Sequence, residues 1–236
     1  MKHINQFITE YIIKKKLDKP IDSEDHYEYF PETKEELIKN IKECLNSKNY
    51  NLNCIDTSKI TDMSDLFYNS KFENININVS NWDVSNVTNM KSMFLGYTNF
   101  NCDLSKWDVS NVTNMSNMFQ RCKNFEGNGL ENWNVSNVKN MHYMFLVCNN
   151  FNNDLSNWDV SNVENMSNMF QRCKNFEGNG LENWNVSNVK DMHYMFFECT
   201  NFNCDLSKWD VSNIKDKRSM FYGCKKLKKI PSWYKG

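Results

Sequence analysis

Nine cysteines and four histidines are the residues of this 236-residue chain whose spacing bears most directly on chemistry. Five of the cysteines, Cys122, Cys148, Cys173, Cys199 and Cys224, recur every 25 or 26 residues. That interval is a column in a repeat, not a CxxC knuckle, so they are expected above one another as small buried apolar groups. Vertical neighbours in such a column come within disulfide range, so an oxidising compartment could bridge them. His3, His26, His142 and His193 sit in no HExxH or comparable pattern. His142 and His193 are copies two repeats apart, about 10 Å at strand spacing, too far to share a metal. Asp83, Asp108, Asp159 and Asp210, with Asn134 and Asn185 between them, form a column that reads either as a Ca2+ ladder or as exposed turns. The turn reading is favoured, because interleaved Asn relieves charge repulsion. Seven glycines include no phosphate-cradling loop, and no nucleophile–base motif is visible. No catalytic residue, cofactor or metal is therefore expected. The one competing cluster, Glu24, Asp25, His26 and Tyr27, keeps open an enzyme with its site in an N-terminal arm.

These residues are carried by a repeat. All seven tryptophans, Trp82, Trp107, Trp133, Trp158, Trp184, Trp209 and Trp233, recur at intervals of 24 to 26 residues. Counting from each Trp, Val or Ile stands at +5, Met at +8 and +11, Phe at +12 and, in five repeats, Cys at +15, where Tyr97 takes the first place. The offsets +8, +11, +12 and +15 are an i, i+3, i+4, i+7 stripe, which predicts about two helical turns per repeat. Leu104, Leu130, Leu155, Leu181 and Leu206, three residues before their Trp, predict a short parallel strand around Leu-Ser. The connector W-[DN]-V-S-N-[VI] suits side chains that bond backbone groups left unpaired at a bend. Residues 120–145 and 171–196 differ only at Asn140 and Asp191, so a two-repeat block has been duplicated.

WDVSNVTNMKSMF at 82–94 and WDVSNVTNMSNMF at 107–119 resemble the repeat unit of the BspA-like leucine-rich-repeat proteins. The resemblance covers residues 51–230 or so, about three quarters of the chain. It implies a leucine-rich-repeat-like α/β solenoid of about seven rungs, each a short strand plus a short helix, that binds proteins, commonly at bacterial surfaces, without enzymatic activity. Chains of this type without export signals are also similar to products of prophages and other mobile elements, which implies an inhibitor of a host protein.

The ends differ from the array. Ile4, Phe7, Ile8, Tyr11 and Ile12 predict one amphipathic helix, read as a cap or alternatively as a partner-binding or membrane-surface helix. Thr33-x-x-Glu36 opens a second, with Leu37, Ile38, Ile41, Cys44 and Leu45 inward. The division is thus 1–50, helical cap and arm; 51–230, repeat solenoid; 231–236, C-terminal tail.

Charge divides unevenly: residues 51–213 hold 11 basic against 18 acidic side chains, and residues 214–236 hold 8 against 1. An acidic body argues against nucleic acid, save at the Lys-rich C-terminal end. No apolar run reaches the ~18 residues of a membrane span. Charge follows the N-terminal apolar stretch instead of preceding it, which argues against a leader and favours the cytoplasm, with the cell surface by a leaderless route as the alternative. The outward columns at +9, +10, +13 and +14 alternate between an apolar-aromatic set, Tyr143, Leu146, Tyr194 and Phe197, and a polar set with Arg121 and Arg172. Those six are the expected protein-binding residues, because exposed aromatics and Arg are enriched at interfaces. The opposite, strand-side column of Lys106, Asn132, Asn157, Asn183 and Lys208 is the competing surface.

Overall fold

The computed structural model describes residues 27–68, 71 and 74–235. The helix predicted over Ile4–Ile12, and Glu24, Asp25 and His26 of the acidic cluster, lie outside them. Among the described residues there is one α-helix, α1 (Lys34–Asn46), and it starts as its sequence dictates. Thr33 Oγ1 accepts the Glu36 N–H at 3.2 Å, and Glu36 Oε2 accepts the Glu32 N–H at 2.7 Å. Its apolar stripe, Leu37, Ile41, Cys44 and Leu45, is buried and joins a core that runs on to Phe221.

From there the chain returns to the same place once per repeat. Asp62, Asn89, Asn114, Asn140, Asn165, Asp191 and Asp216 are joined in that order by six parallel bridges. They stand at +7 from Trp in each repeat from Trp82 on, so the recurring parallel pairing falls after the tryptophan; at the stretch before it the described residues pair once, Asn51 with Asn78 at the start of the array. The physical reason is competition for backbone groups. Asp103 Oδ1 takes the Ser105 N–H at 2.9 Å, and the Leu104 carbonyl is taken by the Trp107 N–H at 3.1 Å and by the Trp133 indole at 3.2 Å. A single bond still crosses there in alternate repeats, the Leu104 N–H to the Asn128 carbonyl at 3.1 Å and the Leu155 N–H to Asn179 at 3.2 Å, too few for a strand ladder, and Leu130–Asn132 and Leu181–Asn183 form single 3-10 turns instead.

The two helical turns expected after +8 are also replaced. Backbone N–H groups at +8, +10, +12 and +14 donate to the next repeat: Met90 to the Asn114 carbonyl at 2.9 Å, Ser92 to Ser116 at 2.8 Å, Phe94 to Met118 at 2.9 Å and Gly96 to Gln120 at 2.7 Å. The alternate N–H groups close tight turns locally, as Tyr97 does on the Phe94 carbonyl at 2.9 Å. Such alternation needs left-handed residues at +10 and +14, and the chain supplies Ser92, Asn117, Tyr143, Asn168, Tyr194 and Ser219 at the first, each with φ between 53° and 60°. An α-helix would keep these N–H groups inside the segment, so it yields to bonding between repeats. The inward stripe survives because successive turns return side chains at the same offsets: the Met, Phe and Cys columns of the central repeats are fully buried.

Two ladders of side-chain hydrogen bonds and one column of stacked rings fasten the repeats to one another, and a further set of bonds closes a turn within each. Every Trp indole N–H donates to a backbone carbonyl of the preceding repeat, from Trp82 to Leu52 at 2.8 Å through to Trp233 on Leu206 at 2.8 Å. The connector Asn does the same with its amide, as Asn111 to the Ser85 carbonyl at 2.7 Å and Asn188 to Ser161 at 2.7 Å. The Asp/Asn column at +1 accepts the Ser N–H two residues on, Asp108 from Ser110 at 3.0 Å, which is what a turn ladder requires. Rings of the +12 column stack at 5.3 to 5.9 Å from Phe67 to Phe221.

The extra residue of alternate repeats is absorbed by glycines. Gly129 has φ 90°, and a Cβ there would lie 2.2 Å from the Ser105 backbone nitrogen. Gly129→Ala is accordingly expected to destabilise the protein by about 2–3 kcal/mol in urea titration, since both the conformation and the approach forbid a side chain.

Candidate functional site

The six expected binding residues fall on the turns that follow +8. Arg121 and Arg172 are exposed, whereas Tyr143, Leu146, Tyr194 and Phe197 are half-buried, not fully outward. On the same turns Ser116 and Ser167 at +9 and Asn168 at +10 are buried, although a helix would turn these offsets outward. Asn168 donates its amide to Gln171 Oε1 at 2.8 Å, and its own Oδ1 has no hydrogen-bond partner among the described residues. Tyr194 meets Phe197 edge-on at 5.2 Å, and Phe197 stacks on Tyr222 at 5.0 Å, which is 65% exposed. Arg172 Nε pairs with Glu198 Oε2 at 2.8 Å. The apolar residues therefore form a continuous strip on the C-terminal repeats, ending at Tyr222, with Tyr143 and Leu146 two repeats away.

This face keeps residues that its backbone disfavours. Val147 at +14 has φ 64°, a conformation in which a β-branched side chain costs about 1–2 kcal/mol, and Gly96 and Gly223 hold the same place in other repeats. Val147→Gly is expected to stabilise the fold by about 1 kcal/mol, read as a raised Tm.

One grouping escaped the sequence. His193 Nδ1 lies 2.6 Å from Asp191 Oδ1 and 4.0 Å from Asp216 Oδ2, and ligand atoms of all three lie within 4.8 Å of one another. An imidazole and two carboxylates are a donor set for a divalent transition ion. Arg218 Nε, 3.2 Å from Asp216 Oδ2, already supplies positive charge there. The signal was the +7 to +9 spacing combined with the next repeat's +7 residue; the duplicate around His142 has Asn140 and Asn165 instead. At His142, burial first and the Lys91 charge second lower the imidazole's pKa, favouring the neutral ring.

An open groove of about 660 Å³ is lined by Asp154, Glu177, Glu182, Cys204 and Asp205. Burial first, and Glu182 with its Oε2 3.7 Å from the sulfur, push the Cys204 thiol up to about 12. A thiol so held is protonated at neutral pH, the reverse of an activated nucleophile. No helix of the described residues is long and apolar enough to cross a membrane.

The stacking of 25- and 26-residue units places the chain among repeat proteins. It belongs to the family described as "Mycoplasma protein of unknown function, DUF285", whose model matches residues 35–156 and again 144–235. No curated protein and no solved structure matches it.

Proposed function

We propose that the chain is a BspA-like leucine-rich-repeat solenoid that binds a protein partner and acts by occluding that partner's surface, without catalysis of its own. The observation that carries this reading is the choice of residues at the left-handed positions of the outer turns. Asn117 and Asn168 fill +10 in two repeats, and Asn is among the few residues that visit this region readily. Tyr143 and Tyr194 fill it in the alternate repeats at a cost in stability, and Phe197 and Tyr222 extend the second into an apolar strip. Aromatic side chains held in place against local preference fit a role in contact with another molecule.

The test is a partner recovered by pull-down from the native host and titrated by calorimetry. The double variant Tyr143→Asn, Tyr194→Asn keeps the backbone satisfied, because Asn already serves in the intervening repeats, and should weaken binding by about 2–4 kcal/mol. Unchanged affinity in the folded variant would move the site to the exposed polar face of Lys106, Asn132, Asn157, Asn183 and Lys208.

A further inference from the structure

Of the nine cysteines, Cys44 and Cys54 alone among the described residues bring their sulfurs into contact, with Sγ to Sγ 3.9 Å. Cys44 is the last buried turn of α1, and Cys54 closes the 3-10 turn Leu52–Cys54 that begins the array. The stretch between them is locked. The Cys44 carbonyl accepts from the Asn49 N–H at 2.9 Å and the Ser47 hydroxyl at 2.8 Å, while the Asn49 amide reaches Cys54 Sγ at 3.7 Å. Asn51 pairs in parallel with Asn78 of the next repeat, so the far end is fixed to the stack. The column cysteines are engaged differently: each donates its S–H to the Phe carbonyl of the preceding repeat, Cys148 to Phe119 at 2.9 Å and Cys199 to Phe170 at 2.7 Å. Cys122, Cys148, Cys173 and Cys199 are also wholly buried, whereas Cys54 is half-exposed and within reach of a small oxidant.

We propose that Cys44 and Cys54 are a modification site: a reversible disulfide, formed by exchange with a low-molecular-weight disulfide, that staples α1 to the first repeat. The Cys54 thiolate attacks the small disulfide RSSR, giving a Cys54–SR mixed disulfide and releasing one RS⁻. Cys44, deprotonated, then attacks the Cys54 sulfur, and the second RS⁻ leaves. Two cysteine thiols are oxidised, RSSR is reduced to two RSH, and the two cysteine protons end on them. Closure from 3.9 Å to the ~2.05 Å of a disulfide brings the two sulfurs about 1.9 Å nearer. Burial raises both thiols, Cys44 to about 12, so exchange is expected to quicken as pH rises from neutrality. The site is independent of the partner-binding face.

The full-length chain, equilibrated natively with oxidised and reduced glutathione at mildly alkaline pH, then acid-quenched and alkylated, tests it. Titratable thiols should fall from nine to seven, peptide mapping should link Cys44 to Cys54, and the oxidised protein should have the higher Tm. Cys54→Ser, and separately Cys44→Ala, should keep every remaining thiol and lose the Tm response. Nine free thiols in a folded protein, a stable glutathione adduct at Cys54, a bridge between another pair, or an oxidised form of lower Tm would each overturn the proposal.

Discussion

Phe145→Ala is expected to destabilise the protein by about 3–5 kcal/mol, roughly a third or more of a typical domain's stability. The ring has no exposed surface. It lies 5.7 Å from Phe119 and 5.6 Å from Phe170 in neighbouring repeats, and 4.2 Å from Phe151 of its own turn. Truncation would open a cavity between two repeats whose backbones are held by other bonds: the Phe145 N–H donates to the Met169 carbonyl at 2.9 Å, and its carbonyl accepts from Cys173 Sγ. The walls therefore cannot collapse, which puts the cost at the upper end of the range. Because each repeat touches only its neighbours, a central void also weakens coupling between the two halves of the array, so the urea transition should broaden. Phe221→Ala is the contrast: that ring stacks on the +12 column from one side only, at 5.9 Å on Phe196, and should cost less. Urea unfolding of both variants gives the comparison, and a Phe145→Ala protein as stable as the parent would remove Phe145 from the core.

The repeat, its period and its inward columns were legible because buried side chains must recur wherever backbones stack. Trp82, Met90, Phe94 and their copies are buried as their spacing predicts, save Trp233 at the end of the array, which is half-buried. The local conformation was not legible, because i, i+3, i+4, i+7 offsets arise both from a helix and from successive turns bonded to the next repeat. The discriminating residues were present: Asn117 and Asn168 at +10 and Gly96 and Gly223 at +14 are the types that accept positive φ. They were hidden by Tyr143, Val147 and Tyr194 at the same offsets in alternate repeats. The cysteine column was half legible. Its burial follows from spacing, save at Cys224, which is half-buried, but its role as S–H donor to the preceding Phe carbonyl depends on a register that sequence does not state. Tyr97 in that column shows the difference, for its buried hydroxyl finds no partner among the described residues. Of the six candidate binding residues, Tyr143 and Tyr194 are half-buried, which their outward offset in a helix does not predict; the left-handed backbone at +10 is what the helical reading lacked.

Stability should fall steeply above pH 9, and the same column is the reason. Cys122, Cys148, Cys173 and Cys199 have no exposed surface. Burial, and for the last three also a neighbouring thiol one repeat away, raises the pKa of each well above its ordinary value. In the unfolded chain the same thiols titrate near 8.5. Between that value and the raised folded ones, the unfolded state releases protons that the folded state retains. Stability is therefore intact below about pH 8.5 and is lost as pH climbs, by up to about 1.4 kcal/mol per pH unit for each thiol and about 5 kcal/mol per unit for four. Against a total of about 5–15 kcal/mol, such a slope is large enough to unfold the protein at alkaline pH. Lysines and tyrosines titrate in the same window, so the decisive measurement is a difference. Serine keeps a hydrogen for the Phe119 and Phe145 carbonyls that Cys148 and Cys173 now serve, and it does not ionise. Cys148→Ser with Cys173→Ser should reduce the slope of unfolding free energy between pH 9 and 10 by about 2–3 kcal/mol per unit, whatever the variant's stability at pH 7. Equal slopes in the parent and the double variant would show that these thiols do not control the alkaline limit.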